Sequence, residues 1–402
     1  MSSLTQPAIA FRHPAADGYN PRVDRRHFLR TTSLATASLA VGGCAPVFGR
    51  TNPSPRRRVS LVPVNVSRDR IIRTTVGLRP HRDSGFVVRA DKLDEKLLIH
   101  NYGHGGAGYS LSWGTAFLAT ECALAATERR AAVVGCGIVG LTTARQLQRH
   151  GFDVTIYAMA LPPDTTSNMA WAAFTPVSGL IANDRRTPQW DDQFRRAAVI
   201  AYREHQLLVG TGHGVSWIDE YSPINSSTSG GGAVLGAGEV SGPPLIPDSI
   251  GMGRTTLGPG EHPFATPYAS VLPVLRFEPS IYLEALMRDV IAFGGRIVVR
   301  KFDTPRDLAT LAEPVVVNCT GLGSSTLFDD RELIPVRGQL VVLVPQSEVT
   351  YTAAGMMPRN DGIVLGHVSQ RGNSSLGIDE AARDRVLNNA IAFFSAMKRN
   401  FA

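Results

Sequence analysis

The sequence predicts a mixed α/β fold built around a dinucleotide-binding unit, and three features carry that expectation. The first is a glycine fingerprint, Gly135-Cys136-Gly137-Ile138-Val139-Gly140, in the middle of the 402-residue chain. The second is its flanks. Ala131–Val134 is apolar and strand-like, Leu141–His150 continues at helical spacing, and Val154–Tyr157 reads as another strand. The third is a buried-strand pattern far downstream, Pro314–Val317, which ends in Asn318-Cys319-Thr320-Gly321. With 43% apolar residues, the chain can bury a sizeable core.

Strand, G-x-G-x-x-G, helix and strand in about 30 residues is the context that makes this fingerprint specific, and it predicts a Rossmann-like unit. Gly135 permits the tight turn, Gly137 lets the backbone approach a pyrophosphate, and Gly140 lets helix and strand pack closely. The helix N-terminus, through Ile138 and Val139, then faces the phosphates. An acid is expected at the end of the second strand, to bind the ribose hydroxyls. Met159 follows Tyr157-Ala158 instead, and Asp164 lies five residues later. Arg276–Ala292 reads as an extended segment and then an amphipathic helix, ended by Gly294-Gly295.

The net charge of +7 is confined to the start of the chain. Residues 1–60 hold nine arginines and two acids, whereas residues 61–402 carry 32 basic and 32 acidic side chains. The neutral body argues against a nucleic-acid partner. Arg25-Arg26-His27-Phe28-Leu29-Arg30 precedes the uncharged stretch Thr31–Gly43, which is too short to span a bilayer. This reads as an export signal over residues 1–44, resembling the twin-arginine type, so export machinery is an expected partner. Val41-Gly42-Gly43-Cys44 resembles a lipobox, and a lipidated Cys44 would anchor the protein to a membrane facing the periplasm. Residues 45–60, rich in arginine and proline, read as a linker. Cys122, Cys136 and Cys319 show no C-x-x-C spacing, so neither a zinc site nor a disulfide framework is implied. His100 and His104 stand four apart, but the glycines around them rule out a shared helical face, and no metal is expected.

The segment His100-Asn101-Tyr102-Gly103-His104-Gly105-Gly106-Ala107-Gly108-Tyr109-Ser110, followed by Trp113-Gly114, resembles the signature of the D-amino-acid oxidase family. Thr165-Thr166-Ser167-Asn168 resembles that family's phosphate-side threonine turn. Asn318–Gly321 and Val336-Arg337-Gly338-Gln339 resemble its strand and domain-crossing motifs. Val76-Gly77-Leu78-Arg79-Pro80 is similar to its carboxylate-arginine motif, and Tyr351 to the start of its active-site tyrosine segment. The family opens on the glycine fingerprint and closes on the arginine and histidine-glycine motifs. Here the closing motifs come first, which reads as a circular permutation. A helix over Thr115–Arg130 would lead straight into the strand at Ala131, and the new break would fall between a helix over Asp379–Asn400 and a strand around Ile71–Thr75.

The resemblance implies an FAD-binding domain (about residues 100–181 and 277–330) interleaved with a mixed-sheet substrate domain (about 61–99, 182–276 and 331–400). It implies that Gly135, Cys136, Gly137, Ile138, Val139, Gly140, Thr165, Thr166, Ser167, Gly105, Gly106, Ala107, Gly108, Tyr109, Ser110 and Thr320 contact FAD. Arg79 would pair with a substrate carboxylate, Gly106 would offer its carbonyl to the amine, and Tyr351 would close over the carboxylate. No side chain is assigned acid–base chemistry, because the protein mainly binds and orients. The implied reaction is oxidation of a D-amino acid or related small amine acid, with hydride transfer to flavin N5 and reoxidation by oxygen to give peroxide. The alternatives are a flavin dehydrogenase using another electron acceptor and a catalytically weak binding paralogue. The chain departs from the family at Gly355, where a second tyrosine is usual, and at Ala170–Phe174, where Ala172 replaces a glycine. Residues Asn225–Gly260, rich in Gly, Ser and Pro, read as an irregular surface excursion.

Overall fold

A computed structural model describes residues 58–227, 245–251, 253–366 and 368–398. Strands and helices are numbered separately along the chain. Six strands form one sheet: β2 (Val87–Leu93), β3 (Lys96–Tyr102), β4 (Arg130–Val134), β5 (Asp153–Ala158), β9 (Arg296–Val299) and β10 (Val315–Asn318). Their order is β2-β3-β10-β4-β5-β9, parallel except for β2, which pairs antiparallel with β3 at the edge. Central parallel strands are covered on both faces, so they read as unbroken apolar runs such as Val315-Val316-Val317.

One face of this sheet packs on α1 (Gly108–Ala123), α2 (Ile138–Arg149), α3 (Pro188–Leu207) and α4 (Pro279–Ala292), which bury Leu111, Leu141, Phe194 and Leu286 beside Val133, Ile156 and Val317. The other face meets Leu308 of α5 (Pro305–Ala309) and Leu327 of α6 (Gly323–Phe328). Helix α3 starts on a capping threonine, Thr187, whose side chain accepts from the Trp190 backbone N–H, with a proline in the first turn.

The second sheet has nine strands: β1 (Ile71–Arg82), β6 (Val215–Ile224), β7 (Thr255–Leu257), β8 (Tyr268–Phe277), β11 (Leu333–Leu343), β12 (Tyr351–Ala353), β13 (Met356–Arg359), β14 (Gly362–Leu365) and β15 (Gln370–Arg371). The order is β1-β11-β14-β13-β12-β6-β8-β7, with β15 paired to β11. Alternation along β11 separates its two faces. Val341 and Leu343 point to α7 (Glu380–Ser395), in a cluster with Tyr351 and Leu387. Leu340 and Val342 point the other way, in a cluster with Met357, Val364, Ile218 and Ala173. Ala173 belongs to the segment that follows the fingerprint's second strand, so this second face looks towards the dinucleotide unit.

Three expectations are corrected. The helix expected over Thr115–Arg130 runs instead over Gly108–Ala123. It is buried on nearly every side, so it has no polar stripe to mark its start. Its hydroxyls are satisfied locally: Ser112 Oγ donates to the Tyr109 carbonyl and Thr120 Oγ1 to that of Ala116. The segment 61–99, expected in the substrate domain, divides between the sheets, with β1 in the nine-stranded sheet and β2 and β3 in the six-stranded one. The excursion at Asn225–Gly260 contains a strand, β7, paired to β8 through Thr255 and Val271.

Candidate active site

The fingerprint forms a tight turn between β4 and α2. Gly135 has φ +114°, and a Cβ there would lie 2.5 Å from the Cys319 carbonyl oxygen, so only glycine fits. A Cβ at Gly140 would fall 2.0 Å from the Gly135 oxygen, which is how helix and turn pack so closely. At Gly137 a Cβ would meet a single atom within 4 Å, Ser167 Oγ at 3.0 Å. The space before Gly137 is therefore an open cradle at the start of α2, and that helix has no side-chain cap. Ser167 Oγ also accepts from the Ile138 backbone N–H at 3.0 Å, joining the threonine turn to the fingerprint.

A second helix start lies alongside. Helix α1 begins at Gly108, after Ala107 and also without a side-chain cap, and a Cβ on Gly108 would be 3.7 Å from Ile138 Cγ2. Two helix N-termini thus converge, neither capped by the side chain of its own N-cap residue, and each carries a partial positive charge. An extended anionic dinucleotide fits that arrangement, and the backbone of Gly135–Gly140 and of Ala107–Ser110 would hold it. The side chains of several residues expected at the cofactor also brace the site. Tyr109 donates its hydroxyl to the Ser167 carbonyl, Ser110 Oγ accepts from the Thr175 N–H, and Thr165 Oγ1 donates to Asn168 Oδ1. Thr320 Oγ1 donates to Asn318 Oδ1 at 2.7 Å. Thr166 opens a short 3-10 turn. Burial pushes the Cys136 and Cys319 thiols up to about 12, so both stay neutral.

The end of β1 reaches this cradle through the glycines at 105 and 106. Gly105 donates its N–H to the Pro80 carbonyl at 2.9 Å. Side chains at 105 or 106 would strike the Gly179 and Ser178 carbonyls, at 2.0 and 2.7 Å. Arg79 lies one residue before Pro80. Gly77, two residues before Arg79 and so on its face of β1, packs on Met169, since a Cβ there would be 2.8 Å from Met169 Cβ. The Arg79 guanidinium lies over Gly338, with both terminal nitrogens 2.9 Å from where a Cβ would be. Desolvation lowers the Arg79 pKa, and Arg79 makes no ion pair or hydrogen bond among the described residues. Two other arginines on this face are committed: Arg276 donates to Ser216 and Pro358, and Arg359 to Ala170 and Asp361.

Tyr351 is not brought to this site. It faces α7 on the opposite side of the sheet, where its hydroxyl donates to the Val62 carbonyl at 3.0 Å and its ring meets Tyr221. Face parity, invisible in a motif match, decides this. Gly355 lies in the two-residue turn joining β12 to β13, with φ +75° after Ala354 at +49°, a primed hairpin turn in which a tyrosine would be strained. Ala172 stands at φ +63°, the left-handed conformation that favours the glycine it replaces. Met159 is 72% exposed at the end of β5, and Asp164 is exposed in the following turn. Cys44 and the signal lie outside the described residues. Sequence reasoning passed over Trp171. Its indole N–H donates to the Gly355 carbonyl at 3.1 Å, and its ring packs on the cluster that holds Leu340 and Met357. A tryptophan one residue before the expected glycine was the available signal.

The model of the FAD-dependent oxidoreductase family that includes D-amino-acid oxidases matches residues 130–401, and the chain belongs to that family. It is an FAD-dependent oxidoreductase, and the cradle described above suits that cofactor. The chain is 27% identical over 279 residues to a D-amino-acid oxidase of Rubrobacter xylanophilus, covering 65% of this chain and 76% of that one. It is 26% identical over 278 residues to a D-aspartate oxidase of Homo sapiens, covering 65% and 75%. Among solved structures it is similar to a glycine oxidase from Bacillus cereus, with a TM-score of 0.46, 13% identity, and coverage of 67% of this chain and 79% of that one.

Proposed function

We propose that the protein oxidises a D-amino acid or a related small amine acid, with Arg79 holding its carboxylate. The observation that carries this reading is Arg79 itself. It is a half-buried guanidinium beside the cradle, without an ionic partner among the described residues, on a face where Arg276 and Arg359 are already paired. A desolvated cation of this kind favours an incoming carboxylate, which the planar fork can grip with two hydrogen bonds. FAD, when bound, supplies the two-electron acceptor for an amine acid that leaves as an imino acid, which water then hydrolyses. The chain's own contribution is orientation: Arg79 on the carboxylate, the Gly106 carbonyl on the amine, and the α1 N-terminus towards the flavin. Oxygen as the final acceptor, giving peroxide, belongs to the same reading.

Replacing Arg79 with alanine is expected to raise the apparent KM for D-amino acids by roughly 10- to 100-fold, since charged hydrogen bonds are worth about 1.5–3 kcal/mol. Flavin absorbance of the purified protein should not change. An unaltered KM, or loss of flavin, would remove Arg79 from this role. Peroxide release and anaerobic flavin bleaching, measured together, separate an oxidase from a dehydrogenase. Bleaching without peroxide would point to another acceptor.

The reading extends to chain order and location. Helix α1, which follows the histidine-glycine motif, leads to β4 of the fingerprint within seven residues, as expected of a circularly permuted family member. The basic, then uncharged, N-terminus supports export to the periplasm, with Cys44 as a lipid anchor.

A further inference from the structure

Two glycines on the cofactor-facing side of the nine-stranded sheet make room for two different side chains. Gly338 on β11 leaves space for the Arg79 guanidinium. Gly366, just past β14, leaves space for Trp171: a Cβ there would be 3.2 Å from Trp171 Cδ1 and 3.2 Å from Leu340 Cδ2. Val341 pairs with Leu365, so Gly366 lies across from Leu340, which is two residues along the same face from Gly338. Two residues along a strand and one strand across amount to about 8 Å. That separation suits an amino acid with its carboxylate at one end and its side chain at the other. Leu340, buried on the same face, packs beside the indole. The indole is held in place, with its N–H on the Gly355 carbonyl, while Arg359 holds the preceding residue through the Ala170 carbonyl at 2.9 Å.

We infer that Trp171 is the specificity-determining wall of the substrate chamber, selecting amino acids with compact, uncharged side chains. This rests on Arg79 as the carboxylate site. The indole presents apolar surface, and its one donor is already used. An acidic side chain would need a second free cation, and Arg276 and Arg359 are committed to Ser216, Pro358, Ala170 and Asp361. A bulky side chain would meet the indole.

The test uses flavin-loaded protein and compares kcat/KM for D-alanine, D-valine, D-phenylalanine and D-aspartate in wild type, Trp171→Ala and Trp171→Phe. Wild type should favour D-alanine or D-valine over D-phenylalanine and D-aspartate by tenfold or more. Trp171→Ala should raise the D-phenylalanine to D-alanine ratio at least tenfold. Trp171→Phe, which keeps a wall and loses the N–H anchor, should shift it less in the same direction and covers poor folding of the alanine variant. A ratio unchanged in both variants, or a wild-type preference for D-aspartate, overturns the inference. The second readout is equilibrium binding of acetate, butyrate and phenylacetate, followed by flavin absorbance. If no amino acid bleaches the flavin, the catalytic reading fails alone. The wall then stands only if Trp171→Ala improves phenylacetate relative to acetate by tenfold, and an unchanged ratio overturns it.

Discussion

At the scale of single residues, backbone conformation explains departures that look like losses in a motif comparison. Ala172 occupies φ +63° where a glycine would be unstrained. It is held there by its neighbours: its carbonyl accepts from the Phe277 N–H at 3.0 Å, and Ala173 bridges to Arg276. The left-handed conformation costs an L-residue about 1 kcal/mol, partly offset by the entropy that glycine loses on folding. Ala172→Gly should therefore raise stability by about 0.5 kcal/mol and leave flavin content intact, as read from the urea midpoint. A loss of stability would mean that the alanine methyl packs better than its backbone suggests. Arg79 could be picked out from its motif, since its charge and spacing are local. Tyr351 could not be excluded the same way, because which face of a sheet it takes depends on registers with β6 and β13 that no local pattern states.

At the scale of elements, β6 carries a buried acid on the cofactor-facing side. Ile218 belongs to the cluster on that face, and Glu220 follows two residues later. Glu220 is 9% exposed, and its Oε2 has no hydrogen-bond partner among the described residues. Burial pushes its pKa up to about 7, against a smaller opposing pull from Arg254. In the unfolded chain the carboxyl ionises near 4.5, so between about pH 4.5 and 7 the unfolded state sheds a proton that the folded state keeps. Stability should fall across that window, by up to about 3 kcal/mol, and level off above it. Glu220→Gln should flatten the profile. Melting temperatures from pH 4.5 to 8.5 would check this, and an equally sloping variant would assign the dependence elsewhere. Helix α1 shows the same limit on reading elements from sequence. An all-buried helix has no amphipathic stripe, so its start was expected seven residues late.

At the scale of the whole molecule, the two ends of the described body lie together. Val59 donates its N–H to the Glu261 carbonyl and Lys398 to that of Pro263, while Arg68 pairs with Asp384 at 2.9 Å. The short link between α1 and β4, residues 124–129, lies at a surface where Glu128, Arg129 and Arg130 are exposed. Adjacent ends and an exposed connection are the conditions under which a chain can be cut and rejoined. A variant beginning near Arg129, with residue 398 joined to residue 58 by a short Gly/Ser linker, should fold and bind FAD. Flavin absorbance and a cooperative melt would check it. Failure to retain flavin would mean that the α1–β4 link does more than connect.

The sequence by itself determined the mixed α/β class, the dinucleotide turn and the dependence on FAD. The class and the turn rest on local order, an apolar strand, three glycines at set spacing and a helix behind them, while FAD follows from the resemblance of the His100–Ser110 segment to a family signature. Only the tertiary structure decided which side chains meet across the sheets. It held the end of β1 against the cradle, where Gly105 donates to the Pro80 carbonyl and His81 pairs with His104, turned Tyr351 to the far side, and put Trp171 over Gly366. The physical reason is parity. A strand alternates faces at every residue, so register and pairing, which long-range packing sets, decide what faces the substrate.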